Sequence, residues 1–278
     1  MKKVILTGMM LLVATSALAQ QQMRTPRPSP KASLMQNVGI TEITINYNRP
    51  GVKGRAIWGA LVPWDKVWRT GANEATTIEF SDDVWVNGNK LAKGLYSLHT
   101  IPGQSEWAVI FNSVASQWGS YSYDAAKDAL RVNVKPETVD HREWLTFEIP
   151  EMTTDTAKIV LRWEKIAVPF TVDTKSTERT MTQFRGAMNP DWRVPYQAAN
   201  FAFDNKGAAT EAEMNAWIEQ SLKINQNIGN LWLRARMAER AGNKAEAVKY
   251  GEMAHAAASP QQADFASEIR KTVDGWKK

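Results

Sequence analysis

The chain contains no cysteine. That excludes at once a disulfide framework, a thiolate zinc site, an iron–sulfur cluster and a cysteine nucleophile. Histidine is almost as scarce: His99, His141 and His255 are the only three, and none stands in a His-x-His or His-Glu-x-x-His spacing, so no metal site is expected. Gly-x-Ser-x-Gly is missing as well. Gly51-Val-Lys-Gly54-Arg55 lacks the strand-to-helix frame of a phosphate-cradling loop, so nucleotide-dependent classes drop out and no cofactor is expected. No apolar run approaches the roughly 20 residues that a bilayer-spanning helix needs.

What is present is ordinary for a folded protein: 278 residues, 44% hydrophobic and 23% charged, enough for one or two domains with full cores. Lys2 and Lys3 precede an apolar run from Val4 to Val13, which closes on Ala17-Leu18-Ala19. This is the pattern of a secretory signal cleaved after Ala19. Gln20, the next residue, cannot carry a lipid, so a periplasmic or secreted protein with no membrane anchor is expected. Cleavage would move the balance from 34 basic residues against 29 acidic to 32 against 29, too slight an excess to imply a nucleic-acid partner. The next stretch, Gln20 to Pro30, holds three prolines and no apolar periodicity, so residues 20–33 read as an extended linker.

Beyond it the hydrophobic period is two. Ile43, Ile45 and Tyr47 share a face, as do Thr76, Ile78 and Phe80. Val84-Trp85-Val86 runs into Asn87-Gly88, a strong hairpin signal, and Lys93-Gly94 marks the next turn. Further strands are expected at Trp107–Phe111, Leu130–Val134, Trp144–Ile149, Ile159–Trp163 and Ile166–Val172. Pro169 implies an edge position for the last of these. Eight or nine short strands over residues 34–173 make an antiparallel β-sandwich or jelly roll.

From Thr174 to the end the period turns helical, with five or six helices expected over 174–278, so the class is α+β with two domains. Thr210-Glu-Ala-Glu213 and Ser259-Pro-Gln-Gln262 are capping boxes. Gly242, Ala247 and Ala254 fall at the spacing of the turn glycine and packing alanines of a tetratricopeptide unit over about 228–260, although Leu231, Ala235, Ala238 and Gly251 depart from its pattern.

Between Tyr47 and Ala75 lies NRPGVKGRAIWGALVPWDKVWRTGANE, a connection too long to be a plain turn. It carries Arg49, Arg55 and Arg69 among indoles, with Asn73 and Glu74 at its end. Guanidinium groups beside Trp68 suit a carboxylate, a phosphate or a sugar ring. Equally, the arginines could fasten the loop through carbonyls while the indoles fill the mouth of the sandwich. His99 shares a strand face with Leu95, Ser97 and Ile101, and a half-buried environment is expected for it. Paired with Glu74, it would serve general acid–base chemistry. Trp118, Tyr121 and Tyr123 form a second aromatic group that either stacks on carbohydrate or caps the barrel end.

The blocks YNRPGVKGRAIWG, VPWDKVWRTGANEATTIEF, GLYSLHTIPGQSEWAVIFN and QWGSYSYDAAKDALRV resemble, in order, those of the domain of unknown function 2911 family, over about residues 29–172. The resemblance implies an exported bacterial β domain and no particular activity. The expectation is therefore a non-enzymatic binder of a small anionic or sugar-like ligand through Arg49, Arg55, Trp68, Arg69, Asn73, Glu74, His99, Trp118 and Tyr121. In this reading the helical region offers a surface for a protein partner. The alternatives are a cell-envelope hydrolase using Glu74 and His99, and a scaffold in which the Arg/Trp loop is purely structural.

Overall fold

Alternation along the strands decides which residues meet. In β1 (Lys31–Val38), β2 (Thr41–Asn48) and β3 (Thr76–Phe80), every second residue turns inward, with Ile43, Ile45, Ile78 and Phe80 essentially inaccessible. A computed structural model describes residues 25–188 and 191–278; the signal-like run lies outside them. β1, β2 and β3 continue through β6 (Gly94–Ile101), β7 (Trp107–Asn112) and β8 (Asp128–Val134) into a six-stranded sheet of order β1-β2-β3-β6-β7-β8. The second sheet has the order β5-β4-β10-β9, built from β4 (Val84–Val86), β5 (Asn89–Leu91), β9 (Glu137–Met152) and β10 (Thr156–Asp173). All the strand pairings are antiparallel. The sheets face each other over one core, where Tyr47 meets Phe147 with ring centroids 5.0 Å apart and Phe111 meets Phe170 at 5.9 Å.

Asn87 and Gly88 both take positive φ (46° and 82°) between β4 and β5, as a two-residue hairpin of this twist demands. Three expectations are corrected. β1 begins at Lys31, so the last residues of the expected linker are already paired, Lys31 opposite Asn48. The two short strands expected at 159–163 and 166–172 are one strand, β10, which with β9 forms a long hairpin. Glu164 (φ 53°) sits between register shifts of that hairpin, a bulge whose polar residues imitate a turn. Finally, Pro169 is on an interior strand. It falls between Ala167, the last residue paired with β9, and Val172, the first paired with β4, so its missing N–H costs no ladder bond.

The chain then turns helical: α1 (Ser176–Ala187), α2 (Arg193–Asp204), α3 (Glu211–Ile224), α4 (Ile228–Arg240), α5 (Lys244–Ala256) and α6 (Ala263–Trp276). The Thr210/Glu213 capping box forms, with the Thr210 side chain accepting from the Glu213 N–H and the Glu213 carboxylate accepting from the Thr210 N–H. In the tetratricopeptide-like pair α4/α5, Gly242 (φ 79°) makes the turn and Ala247 and Ala254 are fully buried. Gly251 stands where an aromatic would be usual because α6 comes too close: a Cβ there would lie 2.3 Å from Val273 Cγ2.

These helices have their own core but are bolted to the sandwich. The Ser176 hydroxyl donates to the Val38 carbonyl (3.2 Å) and accepts from the Ile40 N–H (3.2 Å). Arg179 pairs with Asp82 and donates to the Thr41 hydroxyl (3.1 Å), and the Asp155 carboxylate accepts from the Thr177 N–H (2.6 Å).

Candidate functional site

The loop from Asn48 to Ala75 is fastened segment by segment. Gly51 bridges Trp144 of β9, Trp68 bridges Thr100 of β6, and Glu74 bridges Trp118 of the β7–β8 connection. Trp68 thereby takes the place beside β6 that β3 vacates, with N–H to carbonyl distances of 2.8 and 2.9 Å to Thr100. The chain then makes a turn in which Thr70 and Asn73 both adopt left-handed φ (55° and 58°). For Thr70, β-branched and fully buried, that is strained backbone. It is held by its hydroxyl, which bonds the Thr100 hydroxyl (3.2 Å), and by its carbonyl, which accepts from Thr76 Oγ1 (2.7 Å).

The three loop arginines have different fates. Arg49 Nε donates to the Leu145 carbonyl (2.8 Å) and its Nη2 to Thr146 Oγ1 (2.9 Å), tying the loop to β9. Arg55 donates to the carbonyls of Val52 (3.1 Å) and Gly51 (2.6 Å). Both are fasteners. Arg69 is not: its Nε is buried without a hydrogen-bond partner, and among the described residues neither terminal nitrogen bonds or pairs with anything. Burial pulls its pKa below the ordinary arginine value, opposed by the nearby Tyr121 phenol, but an arginine remains cationic.

Arg69 lines a cleft of about 290 Å³ with Ser29, Arg55, Trp68, Asn73 and Trp163. Behind it the indoles form a wall rather than free gripping surfaces. Trp68 stacks on Trp163 (5.8 Å, 18° between planes), its Nε1 donates to the Gly71 carbonyl (3.2 Å), and Trp58 meets Trp68, Trp107 and Trp163 edge-on at 5.0–5.8 Å. Asn73 Nδ2 makes long bonds to the Ser29 carbonyl (3.3 Å) and Asn48 Oδ1 (3.4 Å).

Glu74 and His99 do not form the expected pair. The Glu74 carboxylate is taken by Arg27 (2.9 and 3.0 Å) and Asn48 Nδ2 (3.1 Å), and the Arg27 hydrogen bond foremost holds its pKa below the usual carboxylate range. His99 is fully buried, not half-buried, and faces no solvent-open cleft. The β7–β8 connection covers it, with the Tyr123 ring 5.1 Å away. Among the described residues neither ring nitrogen has a hydrogen-bond partner, and burial pushes the imidazole pKa down to about 4. The Gly119 and Ser97 carbonyls and the Asp128 carboxylate oppose that shift without bonding the ring. Asp128 is engaged elsewhere, accepting from Tyr123 Oη (2.6 Å), Arg131 Nε (2.5 Å) and Asn112 Nδ2 (2.8 Å).

The second aromatic group divides too. Tyr123 is inward, whereas Trp118 and Tyr121 are 59% and 86% exposed and cap nothing. The reading of the sequence missed Ser29, Trp163 and Arg27. The first two reach the site from a segment read as linker and from β10, and no local pattern announces either.

A larger cleft, about 620 Å³, opens between sandwich and helices, and several of its charges are paired: Lys175 with Asp173 (2.8 Å) and Arg185 with Glu213 (3.1 Å), while Asp155 accepts from Thr177. Among the described residues no group of three or more His, Asp or Glu could hold a metal ion, and no helix is long and apolar enough to cross a membrane.

No curated protein and no solved structure matches the chain. A family described as "Protein of unknown function (DUF2911)" does, over residues 29–172, which takes in every strand of the sandwich and the whole Arg69 cleft and stops short of the helices. With just over half of its length matched, the chain belongs to the DUF2911 family.

Proposed function

We propose that this protein is an exported binding protein whose β-sandwich takes a small anionic or sugar-like ligand in the Arg69 cleft. One observation carries the reading: among the described residues Arg69 is a half-buried cation with no partner, in a loop whose other two arginines each make two hydrogen bonds. A cation removed from water without an anion is costly, and a ligand carboxylate or phosphate supplies what is missing. The strained turn that follows it, at Thr70, supports the same reading, since such backbone concentrates at binding sites. Export rests on the basic, apolar and small-residue pattern of residues 1–19. In the same reading, the helical half offers its tetratricopeptide-like pair to a protein partner.

The test is a thermal-shift series of the purified chain beside Arg69→Ala and Arg49→Ala, against organic acids, phosphates and sugars. A ligand that binds only the folded state raises the melting temperature by mass action. The expected result is a shift seen with wild type and lost in Arg69→Ala, whose own melting temperature stays near that of wild type. No shift with any ligand, together with an Arg69→Ala protein as destabilised as Arg49→Ala, would make the loop a purely structural device.

A further inference from the structure

We infer that the ligand of this cleft is an acidic sugar: a pyranose whose carboxylate meets the Arg69 guanidinium and whose ring lies against Tyr121 and Trp118. The inference rests on the reading of the cleft as a binding site and adds the class of ligand. Its basis is the juxtaposition of the cleft with the exposed aromatics. The Ala75 N–H donates to the Gln117 carbonyl (3.0 Å) and the Gly119 N–H to the Asn73 carbonyl (3.1 Å), so the segment bearing Trp118 and Tyr121 is laced along the edge of the cleft that holds Asn73. Tyr121 is near enough to act on the charge of Arg69.

The Tyr121 ring is also held in place. A Cβ built on Gly119 would lie 2.9 Å from Tyr121 Cε2, so the ring rests directly on the glycine backbone while most of its surface stays open. A flat aromatic surface open on one side suits the C–H face of a sugar ring, and a forked guanidinium suits a carboxylate. Asn73 Oδ1, which accepts no hydrogen bond among the described residues, adds an acceptor for a hydroxyl. A phosphate dianion is served less well. Among the described residues, Arg69 is the one unengaged cation of the cleft, because Arg55 bonds two carbonyls and the neighbouring Arg27 pairs with Glu74. The volume lies at the small end of the range for ligand pockets, about 300–1,000 Å³. That is room for one ring, with any attached chain passing over the exposed rim.

The test is calorimetric titration of the full chain with D-glucuronate, D-glucose, acetate and inorganic phosphate, repeated on Arg69→Gln and on Trp118→Ala/Tyr121→Ala. Both aromatics are exposed, so the double variant keeps its fold, which its circular dichroism checks. Glucuronate is expected to bind at least about tenfold more tightly than glucose, acetate or phosphate, to fall to the level of acetate in the aromatic variant, and to be lost in Arg69→Gln. If acetate or phosphate binds as tightly as glucuronate, depends on Arg69 and ignores the aromatic variant, the anion site stands and the acidic-sugar inference falls. If no acid binds, or if binding survives Arg69→Gln, the inference falls together with the reading of the cleft.

Discussion

His99→Leu separates the imidazole from every other source of acid sensitivity. In the folded chain its pKa is about 4, against about 6.5 when unfolded, so folding favours the neutral ring. Above pH 6.5 both states are neutral and the site contributes fully. As the pH falls from 6.5 towards 4, the unfolded chain takes up a proton that the folded one refuses, and stability is lost across that window. Between pH 7.5 and 4.5 the linkage amounts to about 2–3 kcal/mol, or about 5–10 °C in melting temperature for domains of this size. Leucine fills a similar volume, and neither imidazole nitrogen has a partner to lose, so the variant should match wild type at pH 7.5 to within about 1.5 kcal/mol. Its profile should be flatter by the amount of the linkage. Carboxylates held below their usual range, such as Glu74 and Asp82, lose their contribution in both proteins alike and cancel in the comparison. The assay is a melting series at half-unit pH steps. Parallel profiles for the two proteins would refute the assignment, and a loss above about 3 kcal/mol at pH 7.5 would mean that His99 makes a bond in the fold.

Other expectations follow from single contacts. Arg49→Ala removes the guanidinium that holds the Leu145 carbonyl and Thr146, and chemical denaturation should show a loss of about 1–3 kcal/mol, whereas Arg69→Ala should cost under about 1 kcal/mol. Glu74→Gln breaks an exposed pair with Arg27 and should change stability by no more than about 1 kcal/mol, less in high salt. Gly251→Ala drives a methyl into Val273 and should destabilise the helical half by about 1–3 kcal/mol, read as a loss of helical circular dichroism at lower denaturant than in wild type. When the full sequence is expressed in a bacterium, the mass of the accumulated protein should correspond to a chain starting at Gln20; retention of Met1 would remove the argument for export.

The strands that line the core were legible because a strand with one buried face must alternate, and Ile43, Ile45, Ile78 and Phe80 leave no other register. Strands were expected within β9 and β10 as well, but their length and continuity were not legible. The hairpin they form is an edge pairing whose outward residues see water, and the bulge at Glu164 interrupts the alternation as a turn would. For the site, residue type was legible and partnership was not. Arg49, Arg55 and Arg69 look alike in one dimension. What distinguishes them is whether a carbonyl stands in reach, and for Arg49 that carbonyl belongs to Leu145, 96 residues away. Glu74 and His99 failed as a pair for the same kind of reason: the partner that captures the carboxylate comes from the proline-rich N-terminal segment, and the imidazole is sealed by the β7–β8 connection.

Strand direction also fixes how the two halves can cooperate. β2 runs from Thr41, which accepts from Arg179 at the helical junction, to Asn48, which bonds Glu74 and Asn73 beside the cleft. β3 runs back the other way, from Thr76 at the cleft to Phe80 near Asp82, the other partner of Arg179. The helices and the cleft therefore occupy opposite ends of the sandwich, separated by the length of an eight-residue strand, about 25 Å. The helical half cannot close over the cleft as a lid, and a partner seated on it would not compete with a ligand at Arg69. Any coupling between them has to pass along β2 and β3, whose inward residues are close-packed and whose ladder is continuous from Ile43 opposite Phe80 to Asn46 opposite Thr77. Such a sheet resists small displacements, so ligand and partner should bind independently, each with the same affinity whether or not the other is present.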